Sequence, residues 1–515
     1  MFKSVFTVGF HTFISRVLGF IRDVLIASYL GSTVVADAFF VAFRIPNYFR
    51  SVLAEGAFSA AFIPVFSGLV TNPKNKNDAM EFIERTMSFL VFFIIGITIL
   101  FFFTMPLIIS ALAPGFINDV ETFNLAVFFG KVVFPYLLFI ALVAHFSSIL
   151  NTYNKFAAGA FAPALLNISF ITCLIFLSPY VLTPGHALSY GVLIGGIAQF
   201  ILLYYCLYKM QITPILVLPK IDKNIKKFFN LFLPGLLGAG VIQLNIVIGT
   251  IIASFLPTGA ISHIYYADRV NQLPLAVFGI ALGVALLPTL SRYIKEKAKL
   301  DTIIYTQNRS IEFSLLISFP SAIGLFVLAE PIMYILFERG AFTSEDTYYS
   351  ANALAFFSLG LPAYVLIKVL NPSFFAREDT KTPLYIAIVS VVINIFLSLI
   401  LIKSFRESGI AIATALSSWV NVFLLYFVLK KRGQTKIDNK LQINFYKIIL
   451  SSIIMLVIII FCKRIILSEL MDNNLLINAS LLFSNIFIGI IVFIMMTFML
   501  KIYTVEDIKR YFSNY

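Results

Sequence analysis

The residues with the most chemical potential lie in one apolar stretch, residues 15–67. It is apolar enough to form two membrane helices, yet it carries seven charged side chains: Arg16, Arg22, Asp23, Asp37, Arg44, Arg50 and Glu55. An arginine in the middle of a bilayer costs roughly 2.5–3.5 kcal/mol on insertion scales. Four arginines facing lipid would cost on the order of 10–14 kcal/mol. We therefore expect these charges to face protein, an interface or a water-filled cavity.

Arginines at these positions suit a ligand that carries phosphate. A guanidinium group can grip phosphate oxygens through two parallel N–H donors. Arginines outnumber nearby acids in this stretch, and a further arginine, Arg269, follows Asp268 in the segment SHIYYADR. For Arg22, Arg50 and Arg269 the pattern favours a role in an anion-attracting cavity over structural pairing.

Helical spacing arranges these charges around one glycine. Arg22 shares a helix face with Ser15 and Gly19, whereas Asp23 shares a face with Arg16 and again with Gly19. Because glycine has no side chain, we expect another backbone or a ligand to approach between the charges at Gly19.

Some of the charges have a purely structural explanation. Asp23 and Asp37 would pair with Arg16 or Arg44 if their only task were to neutralise buried charge, and the sequence leaves this open. For Arg44, and for Lys131 further along the chain, we expect a side chain that extends toward the membrane interface.

Histidine and cysteine spacing predicts no metal site. His145 and His263 have no partner motif, so we expect them to be packed or to make polar contacts, while the role of Lys368 stays open. The cysteines fall in apolar runs without metal-like spacing and imply no disulfide framework. They are Cys173, Cys206 and Cys462.

Composition indicates an integral membrane protein. Of the 515 residues, 60% are hydrophobic and only 12% are charged, and the mean hydropathy is +0.95. These values lie far from those of soluble globular proteins. Charged residues interrupt the first apolar run, and it lacks a clean cleavage site, so it is not expected to be a cleavable signal peptide.

Long apolar runs predict an all-α polytopic fold with fourteen transmembrane helices. Each is about 20 residues or longer, which suffices to cross roughly 30 Å of hydrocarbon. Continuous runs favour helices over the alternating pattern of a barrel. A short piece at 331–338 is the least regular boundary. The runs are 4–30, 34–68, 84–112, 122–150, 158–182, 187–208, 228–256, 261–291, 304–328, 346–373, 381–403, 408–429, 444–465 and 477–500.

The distribution of basic residues predicts the orientation. With the N-terminus inside, the inward loops hold clusters such as residues 220–227, 292–299 and 430–436, whereas the outward loops hold few lysines or arginines. By the positive-inside rule, both termini are expected in the cytoplasm. Contact with anionic membrane lipids then accounts for most of the net charge of +13, and no nucleic-acid partner is required.

An internal repeat predicts two six-helix lobes around a central cavity. AFSAAFIPVFS at 57–67 matches ALGVALLPTLS at 281–291, 224 residues later. Further pairs are Ser28/Ser254, Asp37/Asp268, Gly115/Gly340, Pro135/Pro362 and Asn167/Asn394. The predicted division is an N-terminal lobe at 1–220, a C-terminal lobe at 221–440, and two added helices with a tail at 441–515. Such paired lobes are typical of alternating-access transporters.

The basic cluster belongs to the first copy alone. At an offset of 226 residues, Arg16 and Arg22 fall on Ile242 and Ile248 of the second copy. The predicted cavity is therefore asymmetric.

Several segments together resemble the MurJ (MviN) lipid II flippase family of the multidrug/oligosaccharidyl-lipid/polysaccharide exporter superfamily. The resemblance covers essentially the whole chain. The segments are SRVLGFIRD, ADAFFVAFRIPN, AEGAFSAAFIP, YYADR, ALGVALLPTLS and DTKTP. It implies a multi-pass protein of the bacterial inner membrane that moves lipid II, an undecaprenyl-diphosphate-linked disaccharide peptide, to the periplasmic leaflet for peptidoglycan synthesis, and so contributes to cell-wall biogenesis and cell shape.

The resemblance also implies roles for single residues. The diphosphate would bind the cavity arginines Arg16, Arg22, Arg50 and Arg269. Gating or charge balance would fall to Asp23, Asp37, Glu55 and Ser262. The two added C-terminal helices would form a groove for the isoprenoid tail. We expect a monomer without cofactor or enzymatic activity, driven by the membrane potential or by a coupling cation.

Other functions remain as alternatives. A multidrug or cation antiporter of the same superfamily would be expected to have twelve helices and an acid-rich lobe, and a flippase for polysaccharide lipids is a closer alternative. An enzyme acting on prenyl phosphates would need a carboxylate or histidine cluster near the cytoplasmic face. The four histidines show no such cluster.

Overall fold

The fold is helical throughout the part of the chain that the structure describes. A computed structural model describes residues 2–52, 58–71, 76–275, 280–466 and 475–503, and within these ranges it contains helices and loops but no strand. The predicted gating residue Glu55 lies outside them. By packing, the chain divides into two compact units, Met1–Ser262 with Arg339–Phe342, and His263–Glu338 with Thr343–Tyr515.

The first unit is built from nine described helices and the first residues of a tenth. They are α1 Phe2–Leu30, α2 Val34–Val52, α3 Phe58–Val70, α4 Lys76–Leu112, α5 Val120–Val133, α6 Tyr136–Thr152, α7 Ala157–Thr172, α8 Pro184–Tyr208, α9 Lys223–Ala253 and the start of α10 Ala260–Pro274.

The second unit contains the rest of α10 and eight further described helices. They are α11 Ile280–Lys295, α12 Leu300–Val327, α13 Ala329–Phe337, α14 Ser344–Leu359, α15 Leu361–Phe375, α16 Lys381–Lys431, α17 Asn439–Ile466 and α18 Leu475–Met499.

Helix α9 packs with the first unit through aromatic side chains. The ring of Phe228 lies 5.4 Å from that of Phe58 on α3 and 6.4 Å from that of Phe82 on α4. All three rings are almost completely buried. This packing explains why the first compact unit extends past residue 220, whereas the lobe boundaries inferred from the repeat remain a prediction.

Length and composition support a multi-pass membrane protein. Among the described residues, nine helical segments are long and apolar enough to cross a bilayer. Large apolar side chains on several of them are exposed, for example Phe103 and Phe487, as expected for a lipid-facing surface. The count of fourteen spans and the orientation of the termini remain predictions.

Two predicted spans are each interrupted at a proline. The run 122–150 is divided into α5 and α6 by Pro135, and the run 346–373 into α14 and α15 beside Pro362. A proline has no amide hydrogen to continue the helical ladder. Pro135 and Pro362 are paired in the predicted repeat, so the interruptions fall at matching positions of its two copies.

Helix α16 consists of two helices joined at a sharp bend. Arg406 has a φ of 49° and a ψ of −134°, which breaks the helical path between the predicted spans 381–403 and 408–429. Three residues later, a Cβ on Gly409 would lie 2.7 Å from the backbone of Leu401. Because glycine has no side chain, the two helices can approach each other closely next to the bend.

Two matching ion pairs anchor the helix that follows each copy of the repeat. Arg85 of α4 contacts Asp222, whose carboxylate accepts a hydrogen bond from the amide of Ile225 in the first turn of α9. Arg309 of α12 contacts Asp438 at 2.7 Å, and that carboxylate accepts from a first-turn amide of α17. Helix α17 therefore begins as α9 begins.

Candidate functional site

Arg22, one of the predicted phosphate ligands, makes several side-chain contacts. Its Nε and one terminal nitrogen donate to the same carboxylate oxygen of Asp23, at 3.0 and 2.7 Å. The other terminal nitrogen donates to the side-chain oxygen of Asn167 at 2.9 Å. The guanidinium carbon also lies 5.3 Å from the ring centre of Phe170. These contacts fix the plane of the guanidinium group.

Asn167 is the key residue that the sequence did not single out for this site. Its side-chain nitrogen donates to the backbone oxygen of Ser15 at 2.9 Å, so the amide links α7 to α1 while its oxygen holds Arg22. A Cβ on Gly19 would lie 3.3 Å from the same nitrogen. The close approach predicted at Gly19 is therefore made by a side chain of the neighbouring helix.

Asp37 holds the beginning of α10. Its carboxylate accepts from the amide of Gly259 at 2.7 Å and from the amide of Ser262 at 2.9 Å. The hydroxyl of Ser262 donates to it as well, at 2.5 Å. Both residues are almost fully buried. Free amides and the positive end of a helix dipole favour a carboxylate at such a position.

The other cations of the stretch have separate surroundings. Arg50 donates to the side-chain oxygen of Asn47 at 2.9 Å, one turn earlier on α2. Arg44 donates to the hydroxyl of Thr250 at 3.1 Å and so contacts α9. The side chain of Arg16 is exposed on α1.

Two cations rest on aromatic rings. The guanidinium of Arg269 lies 4.7 Å from the ring centre of Tyr265, four residues earlier on α10. Lys131 is placed over the ring of Phe102, with its nitrogen 5.0 Å from the ring centre. Such contacts stabilise a cation that has left bulk water.

The structure thus brings some of the predicted site residues together and leaves others apart. Within the first unit, Arg22 and Asp23 form one cluster, and Asp37 and Ser262 form another. Arg269 belongs to the second unit. The roles of all these residues in binding or gating remain predictions.

A pair of reciprocal contacts links equivalent positions of the predicted repeat. A Cβ on Gly115 would lie 1.9 Å from the backbone oxygen of Ser254, and a Cβ on Gly340 would lie 2.3 Å from that of Ser28. Gly115 and Gly340 are equivalent in the repeat, and so are Ser28 and Ser254. The amide of Ala341 also donates to the oxygen of Ser28 at 2.7 Å. Gly340 has a φ of +62°, which favours glycine for a second reason.

Solved structures show the same fold. One titled "Lipid II flippase MurJ, inward closed conformation" superimposes with a TM-score of 0.79 at 31% identity, over 95% of this chain and 97% of that one. An inward-facing multidrug resistance MATE family transporter of the MOP superfamily matches with a TM-score of 0.69 at 12% identity, over 81% of this chain and 94% of that one. The fold and the partly buried charges define a multi-pass helical membrane protein of the transporter type.

The sequence comparisons identify the family within that class. The profile described as lipid II flippase MurJ matches residues 26–484. A probable lipid II flippase MurJ of Rickettsia prowazekii is 36% identical over 98% of this chain and 99% of its own length, and one of Rhizobium tropici is 40% identical over 90% and 87%. The chain belongs to the MurJ lipid II flippase family. It is a multi-pass protein of the bacterial inner membrane.

Proposed function

We propose that this protein moves lipid II from the cytoplasmic to the periplasmic leaflet of the inner membrane for peptidoglycan synthesis. The fixed guanidinium group of Arg22 is the observation that carries the proposal. Its contacts with Asp23 and Asn167 hold the guanidinium group in one orientation. Its side chain keeps 13% of its surface exposed, so part of it is accessible to a ligand such as a diphosphate.

The diphosphate would be held by Arg22 together with Arg50 and Arg269, with Arg16 nearby. Asp37 and Ser262 would act at a gate, because breaking their contacts frees the beginning of α10. Asp23 would balance the charge of Arg22, and Glu55 would share in gating or charge balance. No chemical bond of the substrate changes in this cycle, so the protein acts as a transporter and not as an enzyme.

Alternating access would be achieved by rocking of two lobes built on fourteen spans, with both termini in the cytoplasm. The prenyl tail would stay in lipid beside the C-terminal helices, and a single chain would suffice. Anionic lipids would contact the basic inward loops. Moving one charge across the membrane is worth roughly 2.3 kcal/mol per 100 mV, so the net charge of the occupied site can couple the cycle to the membrane potential.

The test compares Arg22→Lys with Arg22→Ala in proteoliposomes that contain lipid II. Lysine keeps the charge and loses the planar fork, so transport should fall less than with alanine. Phe103→Ala on the exposed side of α4 serves as a matched control and should leave transport unchanged. Normal lipid II movement by Arg22→Ala would contradict the phosphate role.

A leaflet-resolved assay of lipid II after depletion of the protein in its host tests the function itself. Accumulation of lipid II in the cytoplasmic leaflet is expected. Unchanged movement in a host that lacks a redundant flippase would overturn the proposal. The multidrug antiporter alternative shares only the fold, and it does not explain the predominance of arginine in the first stretch.

A further inference from the structure

A buried histidine in the second unit lies between two carboxylates. The Nδ1 atom of His263 is 3.1 Å from a carboxylate oxygen of Glu407, and its Nε2 atom is 3.1 Å from one of Asp346. The histidine is 3% exposed and the glutamate 1%. A neutral imidazole has a single N–H and could donate to only one of these partners. The geometry therefore requires one additional proton in the cluster.

The surroundings of Asp346 favour its ionised form. Its second carboxylate oxygen accepts from the amide of Thr343 at 2.8 Å and from the hydroxyl of Thr343 at 3.0 Å. These bonds form the capping box at the beginning of α14. The second oxygen therefore acts as an acceptor, and this capping role favours an ionised carboxylate whose first oxygen faces Nε2 of His263.

The surroundings of Glu407 also favour its ionised form. The Nε atom of Arg406 lies 3.4 Å from the second oxygen of Glu407. A terminal nitrogen of Arg406 donates to the hydroxyl of Tyr349 at 2.7 Å, and the ring of Tyr349 stacks on that of His263 at 5.4 Å. The bend at Arg406, with its φ of 49°, brings the carboxylate of Glu407 to the histidine and leaves the guanidinium of Arg406 over the ring of Tyr349. Residues with such strained backbone conformations cluster at functional sites.

The charged and titratable groups around the imidazole come from the two helices that supply its hydrogen-bond partners. Helix α14 presents Asp346 and Tyr349, and α16 presents Arg406 and Glu407. If the imidazole is positively charged, it and Arg406 balance the negative charges of Asp346 and Glu407. With a neutral imidazole, the cluster would hold an excess negative charge in a buried place, which is unfavourable.

We propose that His263, Asp346 and Glu407 form a proton-binding site. The bound proton completes an imidazolium that ties the beginning of α10 to α14 and to the bend of α16. The carboxylate of Asp37 accepts a hydrogen bond from the amide of Ser262, the residue before His263 in the chain. Loss of the proton leaves one carboxylate facing an imidazole lone pair and loosens this attachment. The ligand is a proton from water, and no bond other than N–H forms or breaks.

Selective ¹⁵N-histidine labelling of the full chain in lipid nanodiscs can test the site directly, because the sequence contains only four histidines. The His263 signals are assigned from their loss in His263→Gln. At pH 7.5 we expect both imidazole nitrogens of His263 to be protonated. Signals of a neutral tautomer at this pH would overturn the proposal. The readout does not depend on lipid II movement, so it is independent of the proposed function.

Variants at the carboxylates complete the test. Glu407→Gln should convert His263 to a singly protonated form at pH 7.5, and unchanged signals of the other three histidines would show that the fold is kept. If Glu407→Gln does not fold, Asp346→Asn makes the same test from the other side of the ring. Glu330→Gln, at an exposed carboxylate of α13, is the matched control and should change nothing. Double protonation of His263 that persists in a folded carboxylate variant would refute the site.

Discussion

The hydroxyl and the amide of Ser262 donate to one carboxylate oxygen of Asp37, at 2.5 and 2.9 Å. Asp37 lies in the first turn of α2, and Ser262 lies in the first turn of α10, 225 residues later. A side chain from one copy of the repeat thus caps a helix of the other. Capping from a distant helix makes the beginning of α10 depend on tertiary structure and not on its own sequence.

Replacing Asp37 should therefore destabilise the protein. Asp37→Ala leaves the buried amides of Gly259 and Ser262 without this acceptor, and each unsatisfied group costs about 1–3 kcal/mol. Asp37→Asn should cost less, because its amide keeps one acceptor oxygen. Thermal unfolding in detergent measures both. Asp78→Asn, at an exposed acid in the first turn of α4, is the control. An unfolding midpoint of Asp37→Ala equal to that of the control would contradict the cap.

A small change at Gly19 should weaken transport through Asn167. The Cβ of Gly19→Ala would push the Asn167 side chain by a few tenths of an ångström, and Gly19→Val would push it further. Because Asn167 holds Arg22, we expect a graded loss of lipid II movement, about twofold for alanine and tenfold or more for valine, by analogy with losses from small misplacements of positioned groups.

Gly9→Ala provides the control on the same helix, because a Cβ there would meet nothing within 4 Å. Lipid II movement in proteoliposomes is the measurement. Normal transport by a folded Gly19→Val variant would show that Asn167 does not position Arg22.

Replacing either of the reciprocal glycines, Gly115 or Gly340, should destabilise the protein. Gly115→Ala and Gly340→Ala each place a methyl group against a backbone oxygen that cannot rotate away, so we expect each to destabilise by about 1–3 kcal/mol. The loss at Gly340 should be the larger, because its positive φ adds strain. Gly96→Ala and Gly324→Ala, in open helical positions, are the controls. Unfolding midpoints of both variants within the range of the controls would be incompatible with these contacts.

The ion pair between Asp379, before the first residue of α16, and Arg432, after its last, should make the stability of the protein depend on pH. Burial favours the protonated form of Asp379, but hydrogen bonds from Arg432 and Thr382 outweigh it and lower the pKa of Asp379 to about 2. Since the folded value lies below the ordinary 3.8, the stabilisation is complete above about pH 4 and is lost as the pH falls toward 2.

Asp379→Asn should therefore lower the unfolding midpoint at pH 6, and the difference from the unmodified protein should shrink between pH 4 and pH 2. Because the side chain of Arg432 keeps 41% of its surface exposed, we expect an effect below about 1 kcal/mol. Lys430→Gln, at an exposed cation in the last turn of α16, is the control. A difference that stays constant from pH 6 to pH 2 would argue against the ion pair.

Sequence reasoning located the apolar runs and the unusual charges because both depend on residue type alone. It could not find Asn167, since an asparagine in an apolar helix is ambiguous until its neighbours are known. The runs 122–150 and 346–373 each predict one span, and each is long and apolar enough to be one, but the helix assignment breaks at Pro135 and beside Pro362. Prolines at equivalent positions were a usable signal for the interruptions.

The sequence alone could not predict the two carboxylates that contact His263 either. Asp346 and Glu407 lie 83 and 144 residues away, and only the bend at Arg406 brings the glutamate to the ring. By contrast, the DTKTP segment has a local explanation. The carboxylate of Asp379 accepts from the amide and hydroxyl of Thr382 at 2.9 and 2.7 Å, so the motif fixes the first turn of α16.

The reciprocal contacts of Gly115 with Ser254 and Gly340 with Ser28 bear on the symmetry of the repeat. Each copy of the repeat supplies one glycine and one serine, so a single copy could satisfy neither contact by itself. Two identical copies would satisfy both at once, with the same patch used on each side, which is the rule for an isologous dimer. The two contacts therefore follow the pattern of a symmetric pair of equivalent halves.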